Sequence, residues 1–314
     1  MPRVRPAGVI LLLLLTTALV GGCSGTGDLG ANIDASVSAE AGPHPKREVT
    51  TKTSAEGGPE STVGVASSDA AEDGAGAAGP FGDKPRAEGG AGFEADTLLA
   101  VRHGSHEGFE RVVIDFGAGQ EPAVAVPRWT LDSPDGRRLL RVNLPSANAT
   151  AVSDGGLDGG LLKDFHVVRA PEGGMFVDVL AERGFRYRVL ELAGPGRLVV
   201  DFKPAGPPPE EPPPAQGGET VLVEPRPGAR ISDPLTVSGY SRNFEAANTI
   251  VLENKDGETI ARENVTANDW SSTWGHFEAT INLPSLPEKG TLRVGTGSAR
   301  DGSFRGVEIP VRGG

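Results

Sequence analysis

The chain has 314 residues, a length that allows one large domain or two of ordinary size. Its 45 glycines and 26 prolines are clustered, which indicates linkers between small compact modules. The formal net charge of −12 and the absence of a basic cluster argue against a nucleic-acid partner.

Residues 1–22 are predicted to be a lipoprotein signal peptide. Arg3 and Arg5 precede an apolar run over residues 9–20, and small residues lead up to Cys23, the only cysteine of the chain. The run is shorter than the roughly 20 apolar residues that span a bilayer, which argues against a transmembrane anchor. The pattern resembles a lipobox, which implies cleavage before Cys23 and attachment of diacylglycerol to its sulfur, with the new amino group open to a fatty acyl chain such as palmitate. We therefore expect an extracytoplasmic protein that the lipid on Cys23 anchors to the cell membrane.

Residues 23–92 are predicted to form a lipidated, disordered tether. Gly, Ala, Ser, Thr and acidic residues dominate this segment, and Phe81 is its only aromatic residue. Such a composition buries too little apolar area to offset the entropy of ordering the backbone. We therefore place the start of the first folded domain at Phe93.

Residues 93–203 are predicted to form a small antiparallel β domain. Short runs rich in Val, Leu, Ile and Phe alternate with Gly and Pro turn signals. Apolar residues recur at every second position in several runs, which indicates strands with one buried face. The predicted strands cover residues 97–102, 111–116, 138–144, 165–169, 176–180, 187–192 and 198–202.

Three segments of this domain resemble the AMIN-like domain of bacterial envelope proteins. They are residues 108–116, 141–145 and 196–202, and two of them contain an Asp between hydrophobic residues. The strand pattern favours an antiparallel β-sandwich or a pair of small sheets. Since related AMIN domains localise their proteins by contact with peptidoglycan, the resemblance implies a targeting role rather than an activity.

Residues 204–218 are predicted to be a proline-rich linker that acts as a semi-rigid spacer. Residues 219–314 then show seven further strand patterns, which favour a second β-sandwich of the immunoglobulin type. Residues 254–257 (Asn-Lys-Asp-Gly) predict a hairpin turn. The strand patterns cover residues 220–223, 235–240, 249–253, 258–265, 276–283, 291–296 and 307–311.

This second domain resembles the immunoglobulin-like domain of bacterial spore germination, which occurs beside the GerMN module in lipoproteins. The matching segments are residues 223–229, 232–239, 243–245, 256–257, 275–278, 301–303 and 309–311. The GerMN module is absent from this sequence. The resemblance therefore implies an envelope lipoprotein without establishing spore formation.

The three tryptophans, Trp129, Trp270 and Trp274, are the candidate binding surface. Aromatic side chains in loops can stack on sugar rings or anchor a protein partner, although a tryptophan that caps the sandwich core is equally compatible with the sequence. His103 and His106 lie in the pattern H-G-S-H-E-G, which lacks the helical H-E-x-x-H spacing of a zinc protease, so we interpret them as solvated loop residues.

No catalytic motif, metal site or cofactor is predicted. The favoured hypothesis is a non-enzymatic envelope lipoprotein that binds peptidoglycan or an envelope protein. One alternative is an accessory protein of germination or envelope assembly that acts by protein contact. The other is an unrecognised wall hydrolase that uses Asp or Glu as acid and base, which would require two such carboxylates close together in a cleft.

Overall fold

The computed structural model describes residues 79–82, 84, 86–133, 138–206, 211–298 and 300–314. These residues contain 21 β-strands and a single 3-10 turn, Phe244–Ala246. The predicted all-β class with two small domains is confirmed. In the part of the chain that is described, no helix has the length and apolar character needed to cross a bilayer. The signal segment and Cys23 lie outside the described residues.

The N-terminal domain is a sandwich of two sheets. Its strands are β1 (Arg86–Gly89), β2 (Thr97–His106), β3 (Phe109–Ala118), β4 (Glu121–Pro122), β5 (Trp129–Asp132), β6 (Leu139–Leu144), β7 (Ala149–Thr150), β8 (Asp154–Gly156), β9 (Leu162–Arg169), β10 (Met175–Ala181), β11 (Phe185–Leu192) and β12 (Arg197–Pro204). One sheet has the order β11-β12-β3-β2-β7, with β4 beside β3. The other runs β1-β5-β6-β10-β9, with β8 beside β9.

The core of this domain lies between its two sheets. Ile114, Leu198 and Phe202 project from the first sheet, and Val142 and Val177 project from the second. All five side chains are fully buried. Burying a side chain of this size stabilises the fold by roughly 1.5–3 kcal/mol relative to leaving it exposed, so this layer supplies the main driving force for the sandwich.

The N-terminal domain begins before the predicted boundary at Phe93. Strand β1 pairs with β5, and Gly82 exchanges backbone hydrogen bonds of 2.9 and 3.0 Å with Tyr187. The segment Arg-Ala-Glu-Gly of β1 has no apolar alternation, since it is held by backbone pairing rather than by side-chain burial. Strand β5 was also not predicted, because its four residues are too few to establish a period.

The C-terminal domain is a second sandwich. Its strands are β13 (Ala215–Gly217), β14 (Thr220–Glu224), β15 (Arg230–Ile231), β16 (Leu235–Ser241), β17 (Ala247–Asn254), β18 (Thr259–Thr266), β19 (Trp274–Ile281), β20 (Gly290–Gly297) and β21 (Phe304–Gly313). Strands β13, β14, β16 and β19 face a five-stranded sheet of order β15-β21-β20-β17-β18. The seven predicted strands all form, as β14 and β16–β21.

The predicted hairpin joins β17 to β18. Asn254 Oδ1 accepts backbone hydrogen bonds from Asp256 at 2.9 Å and from Glu258 at 3.0 Å, which closes the turn. Gly257 has a φ of +80°, a conformation that favours glycine, while Asp256 does not share it. The hairpin is therefore confirmed, but its turn is not of a primed type, because neither central residue, Lys255 or Asp256, has the positive φ that those turns need.

The proline-rich segment does not hold the two domains apart. Strand β19 pairs in parallel with β9, with Trp274 opposite Val168 and Gly275 opposite Arg169. The second sheet of the N-terminal domain thus continues into the C-terminal domain as one ten-stranded sheet. Both domains belong to one compact unit, residues 69–314.

A separate hydrophobic cluster lies where the two domains meet. Val168 and Phe176 contribute from the N-terminal domain, and Val221, Tyr240 and Trp274 contribute from the C-terminal domain. All five are buried. This cluster covers the outer face of the second N-terminal sheet, so the junction is a packed interface rather than a flexible linker.

Candidate functional site

The structure separates the three tryptophans of the predicted binding surface. Trp129 and Trp274 are buried, with 4% and 5% exposure, so the prediction that they form a surface is wrong. Trp129 packs in the N-terminal core, and its Nε1 donates to Glu191 Oε1 at 2.8 Å. Trp274 fills the cluster between the domains. Of the three, only Trp270 keeps an exposed indole, at 39%.

Trp270 has an exposed aromatic partner in Phe244. The two ring centroids are 5.2 Å apart with an interplanar angle of 73°, an edge-to-face contact. Phe244 is 70% exposed. It lies 26 positions before Trp270 in the chain, so the fold brings the two rings together. These two side chains, here called the aromatic pair, form two nearly perpendicular apolar walls on the protein surface.

Asp269 fixes the loop that carries Trp270. Its Oδ1 accepts backbone hydrogen bonds from Trp270, Ser271 and Ser272 at 2.7, 3.1 and 3.1 Å. Partial burial by itself raises the pKa of Asp269, but the three N–H donors and the nearby Arg169 hold the pKa below its ordinary value. The carboxylate is therefore ionised at neutral pH and clamps the loop in one conformation.

The N-terminal domain supports the same loop from the other side. Arg169 Nε lies 3.4 Å from Asp269 Oδ2. Asn268 Nδ2 donates to the carbonyl oxygens of Arg169 and Ala170, both at 3.1 Å, and Thr273 Oγ1 donates to a further carbonyl of β9 at 2.5 Å. The loop thus depends on both domains for its position.

Phe244 lies on a strained turn. Glu245 and Ala246 have φ values of 55° and 57°, in the left-handed region that costs a non-glycine residue about 1–2 kcal/mol. Two buried amides hold this backbone: Asn243 Nδ2 donates to Asn248 Oδ1 at 2.8 Å, and Asn248 Nδ2 donates to the Ala246 carbonyl at 3.0 Å. The turn is therefore fixed by a buried network rather than by local preference.

The aromatic pair is suited to binding rather than to bond-making chemistry. Its walls can pack on the apolar face of a sugar ring or on an apolar side chain. Ser271 and Ser272 follow Trp270 on the same exposed loop, where their hydroxyl groups can donate and accept hydrogen bonds. Sequence reasoning found Trp270 but missed Phe244, because the turn residues around Phe244 show no pattern.

A polar cluster that is only partly buried lies beside Trp274 at the domain junction. Asp154 Oδ2 accepts hydrogen bonds from Trp274 Nε1 at 3.0 Å and from Arg242 Nη1 at 2.9 Å. His166 is 5% exposed, and its ring lies 4.6 Å from that of Trp274 and 5.3 Å from that of Tyr240. Burial lowers the pKa of His166, although the carboxylates of the cluster oppose the shift.

The stability of the junction should therefore depend on pH. Since the pKa of His166 is lower in the folded chain, the unfolded chain binds more protons below the ordinary histidine value of about 6.5. We expect the free energy of unfolding to fall between pH 7 and pH 5, by at most about 1.4 kcal/mol per pH unit for this group. Urea unfolding at pH 7, 6 and 5 measures the slope, and His166→Phe should flatten it. An identical slope in the variant would contradict this assignment.

The two histidines of the predicted loop lie instead at the end of strand β2. His103 Nε2 is 3.2 Å from Glu110 Oε2, and the ring of His106 stacks on Phe109 with centroids 4.7 Å apart. The prediction of a loop is therefore wrong, because the strand continues to the hairpin turn; His106 is nevertheless exposed to solvent, as predicted, while His103 is half-buried. Across the described ranges, no group of three or more His, Cys, Asp or Glu side chains is placed to hold a metal ion.

A shallow groove of about 290 Å³ crosses the outer face of the five-stranded C-terminal sheet. The groove is lined by threonines, glycines and a valine together with Arg262, Arg293 and Phe304, and none of the described residues that line it is a carboxylate. Arg293 is already paired with Glu308 at 2.9 Å and with Glu253 at 3.5 Å. This groove therefore lacks the pair of acidic groups that a glycoside hydrolase needs.

Comparison with known families gave two matches. Residues 96–204 match the AMIN-like domain, and residues 220–303 match the immunoglobulin-like domain of bacterial spore germination. Both resemblances seen in the sequence are confirmed. The matched ranges cover most of each sandwich and leave out strands β1, β13 and β21. No curated protein and no solved structure matches the chain. Domains of these two kinds are typical of extracytoplasmic, envelope-associated proteins.

Proposed function

We propose that this chain, which contains an AMIN-like domain followed by an immunoglobulin-like domain of bacterial spore germination, is a lipid-anchored envelope protein that binds cell-wall glycan and has no catalytic activity. The exposed aromatic pair of Phe244 and Trp270 carries the proposal. Two perpendicular aromatic walls next to exposed serine hydroxyls match a ligand with alternating apolar and hydroxyl-bearing faces, as in a peptidoglycan strand.

The rigidity of the site supports the proposal. A surface that must order itself on binding loses affinity to the entropy of ordering. Here Asp269 and the buried Asn243–Asn248 network already fix both walls, and Arg169 adds support from the neighbouring domain. Exposed aromatic rings that the protein holds in place without covering them are typical anchors of recognition.

The membrane anchor is a further part of the proposal. Cys23 is the only cysteine, it follows small residues, and the preceding apolar run is too short to span a bilayer. Lipid on Cys23 would keep the two domains at the outer surface of the membrane, where the wall is within reach. An envelope protein is the alternative partner for the same aromatic pair.

Co-sedimentation with isolated peptidoglycan tests the function. The fragment of residues 69–314 contains all three described hydrophobic clusters and should fold by itself, whereas a fragment that began at Phe93 would lose β1. We expect this fragment to pellet with the wall. Trp270→Ala and Phe244→Ala should each weaken binding at least fivefold, which corresponds to about 1 kcal/mol.

Phe93→Ala is the matched control, because Phe93 is 98% exposed and lies outside the aromatic pair. It should pellet like the unchanged fragment. Full binding by the double variant of Phe244 and Trp270 would exclude the aromatic pair as the site. A fragment that stays in solution at high protein concentration would exclude wall binding, and crosslinking from the Trp270 loop would then identify a protein partner.

A further inference from the structure

The outer face of the first N-terminal sheet is unusually basic for this chain. Side chains alternate between the two faces of a strand, so the core residues of β2, β3, β11 and β12 define which positions point outward. The only acidic residues among these outward positions are Asp115 and Asp201. The basic residues among them are Arg102, Arg111, Arg186, Arg188, Arg197 and Lys203.

This face opposes the charge of the whole protein. Its six basic groups and two carboxylates leave a formal excess of four positive charges, whereas the chain carries −12. A local field of opposite sign attracts anions that the rest of the surface repels. The asymmetry therefore selects for an anionic partner at this face.

The two carboxylates organise the arginines rather than neutralise the face. Asp201 is fully buried and accepts from Arg111 Nε at 2.6 Å and from Arg188 Nε at 2.7 Å. Asp115 accepts from Arg102 Nε at 2.6 Å. A guanidinium has five N–H donors, so each of these arginines retains donors for a further ligand while its side chain is held in place.

Arg186 and Lys203 form a second unusual feature of this face. They lie directly opposite each other on β11 and β12, both are exposed, and no ion pair of either is found among the described residues. Like charges at opposed positions destabilise a sheet. The pair thus costs stability in the free protein, a cost that a bound anion would remove.

The second N-terminal sheet provides a contrast. Its outer face has a similar buried pair, with Asp178 accepting from Arg141 Nη2 at 2.7 Å, but there the C-terminal domain covers the sheet. The first sheet has no such covering domain among the described residues. Phe81 lies over strands β11, β12 and β3, with its ring centroid 4.5 Å from the Arg188 guanidinium, 5.9 Å from Lys203 Nζ and 6.0 Å from the Phe109 ring centroid.

We propose that this basic face binds a linear polyanion that carries phosphate groups. The guanidinium group of arginine can donate two parallel hydrogen bonds to the oxygens of one phosphate. Outward residues of one strand repeat about every 6.8 Å, so the face can contact a chain of anionic units at several points. Among the described residues, the five large apolar side chains that are most exposed lie away from these outward positions; they are Phe93, Val124, Phe244, Trp270 and Leu286. The apolar side chains that do point outward on this face, such as Phe109 and Leu190, are half-buried, so the face presents charge rather than a protruding apolar side chain.

Binding of long-chain inorganic polyphosphate to the 69–314 fragment tests the proposal. We expect binding that weakens as salt rises. Lys203→Glu should lower the affinity about tenfold at low salt. The same change replaces the like-charge pair with an ion pair between Arg186 and the introduced carboxylate, so the midpoint of thermal unfolding should stay equal or rise. Loss of binding without loss of stability separates a ligand contact from a structural role.

Arg262→Glu is the matched control, since it makes the same change of charge at an exposed position of the C-terminal sheet. The affinity of this variant for polyphosphate should stay within twofold of that of the unchanged fragment. An equal loss in both variants would overturn the proposal, because it would show a response to net charge alone. Equal affinity for poly-glutamate would overturn the phosphate assignment. Binding to phosphatidylglycerol vesicles without binding to polyphosphate would overturn the proposal that the ligand is a linear polymer, and would indicate a membrane surface instead.

Discussion

Replacing Trp274 by alanine should lower the free energy of unfolding by about 3–5 kcal/mol. The indole is buried between the two domains, with its ring 5.9 Å from that of Tyr240 and 4.6 Å from that of His166. Its removal leaves a cavity and takes away the Nε1 hydrogen bond to Asp154. Urea unfolding of the 69–314 fragment, monitored by circular dichroism, measures the loss.

Trp270→Ala is the matched control for this prediction, because it deletes the same side chain four residues earlier. Trp270 is partly exposed and makes its closest ring contact with the exposed Phe244. Its removal should change the free energy of unfolding by no more than about 0.5 kcal/mol. Similar losses in the two variants would refute the division between a structural and a surface tryptophan.

Asp178→Ala should also cost about 3–5 kcal/mol. Asp178 is fully buried, and both of its oxygens accept from Arg141 at 2.7 Å. Without the carboxylate, the guanidinium of Arg141 stays partly buried over the ring of Phe176, at 3.9 Å from its centroid, and has lost the counter-charge to which it hydrogen-bonds. Chemical unfolding measures the loss, and adding Arg141→Met should restore part of it by removing the unpaired charge.

Arg86→Ala provides the comparison for the buried ion pair. Arg86 pairs with Asp132 at 3.0 Å, but its side chain is 73% exposed. Solvent-exposed pairs contribute about 0–1 kcal/mol, so this change should have a small effect. If Asp178→Ala cost as little as Arg86→Ala, burial would not decide the strength of these ion pairs.

Strand periodicity predicted most of the fold. All seven strands predicted in the C-terminal domain form, because their apolar alternation reflects a single buried face. Phe277 and Ile281 point into the core as this alternation requires. Strands β1 and β5 were missed, since strands of four residues are too short to establish a side-chain period.

The junction between the domains was not predicted, although the sequence of β10 contains an indication of it. Every residue of Met175–Ala181 is buried, and apolar residues occupy both faces of the strand. A strand of one isolated sandwich should have an exposed face, so Phe176 and Leu180 indicate a second covered surface. Sequence alone does not say what covers it, because the partner residues Tyr240 and Trp274 lie far along the chain.

The candidate site was predicted only in part for a related reason. The choice of tryptophans rested on aromatic type, which does not distinguish an exposed indole from a buried one. Trp270 and Trp274 lie in the same short segment, yet strand β19 begins at Trp274 and turns it toward the junction. The exposure of Phe244 depends on a turn in which Glu245 and Ala246 have positive φ, and neither residue type predicts that conformation.

The contacts that position the Trp270 loop also have a consequence for the order of folding. Thr273 and the Val167 carbonyl to which it donates are 106 positions apart in the chain. This hydrogen bond joins the two domains, so we expect the loop to take up its position only once both sandwiches have formed and packed together. In a chain whose sandwiches had formed without meeting, the aromatic pair would not be positioned, so wall binding would report on the docking of the two domains.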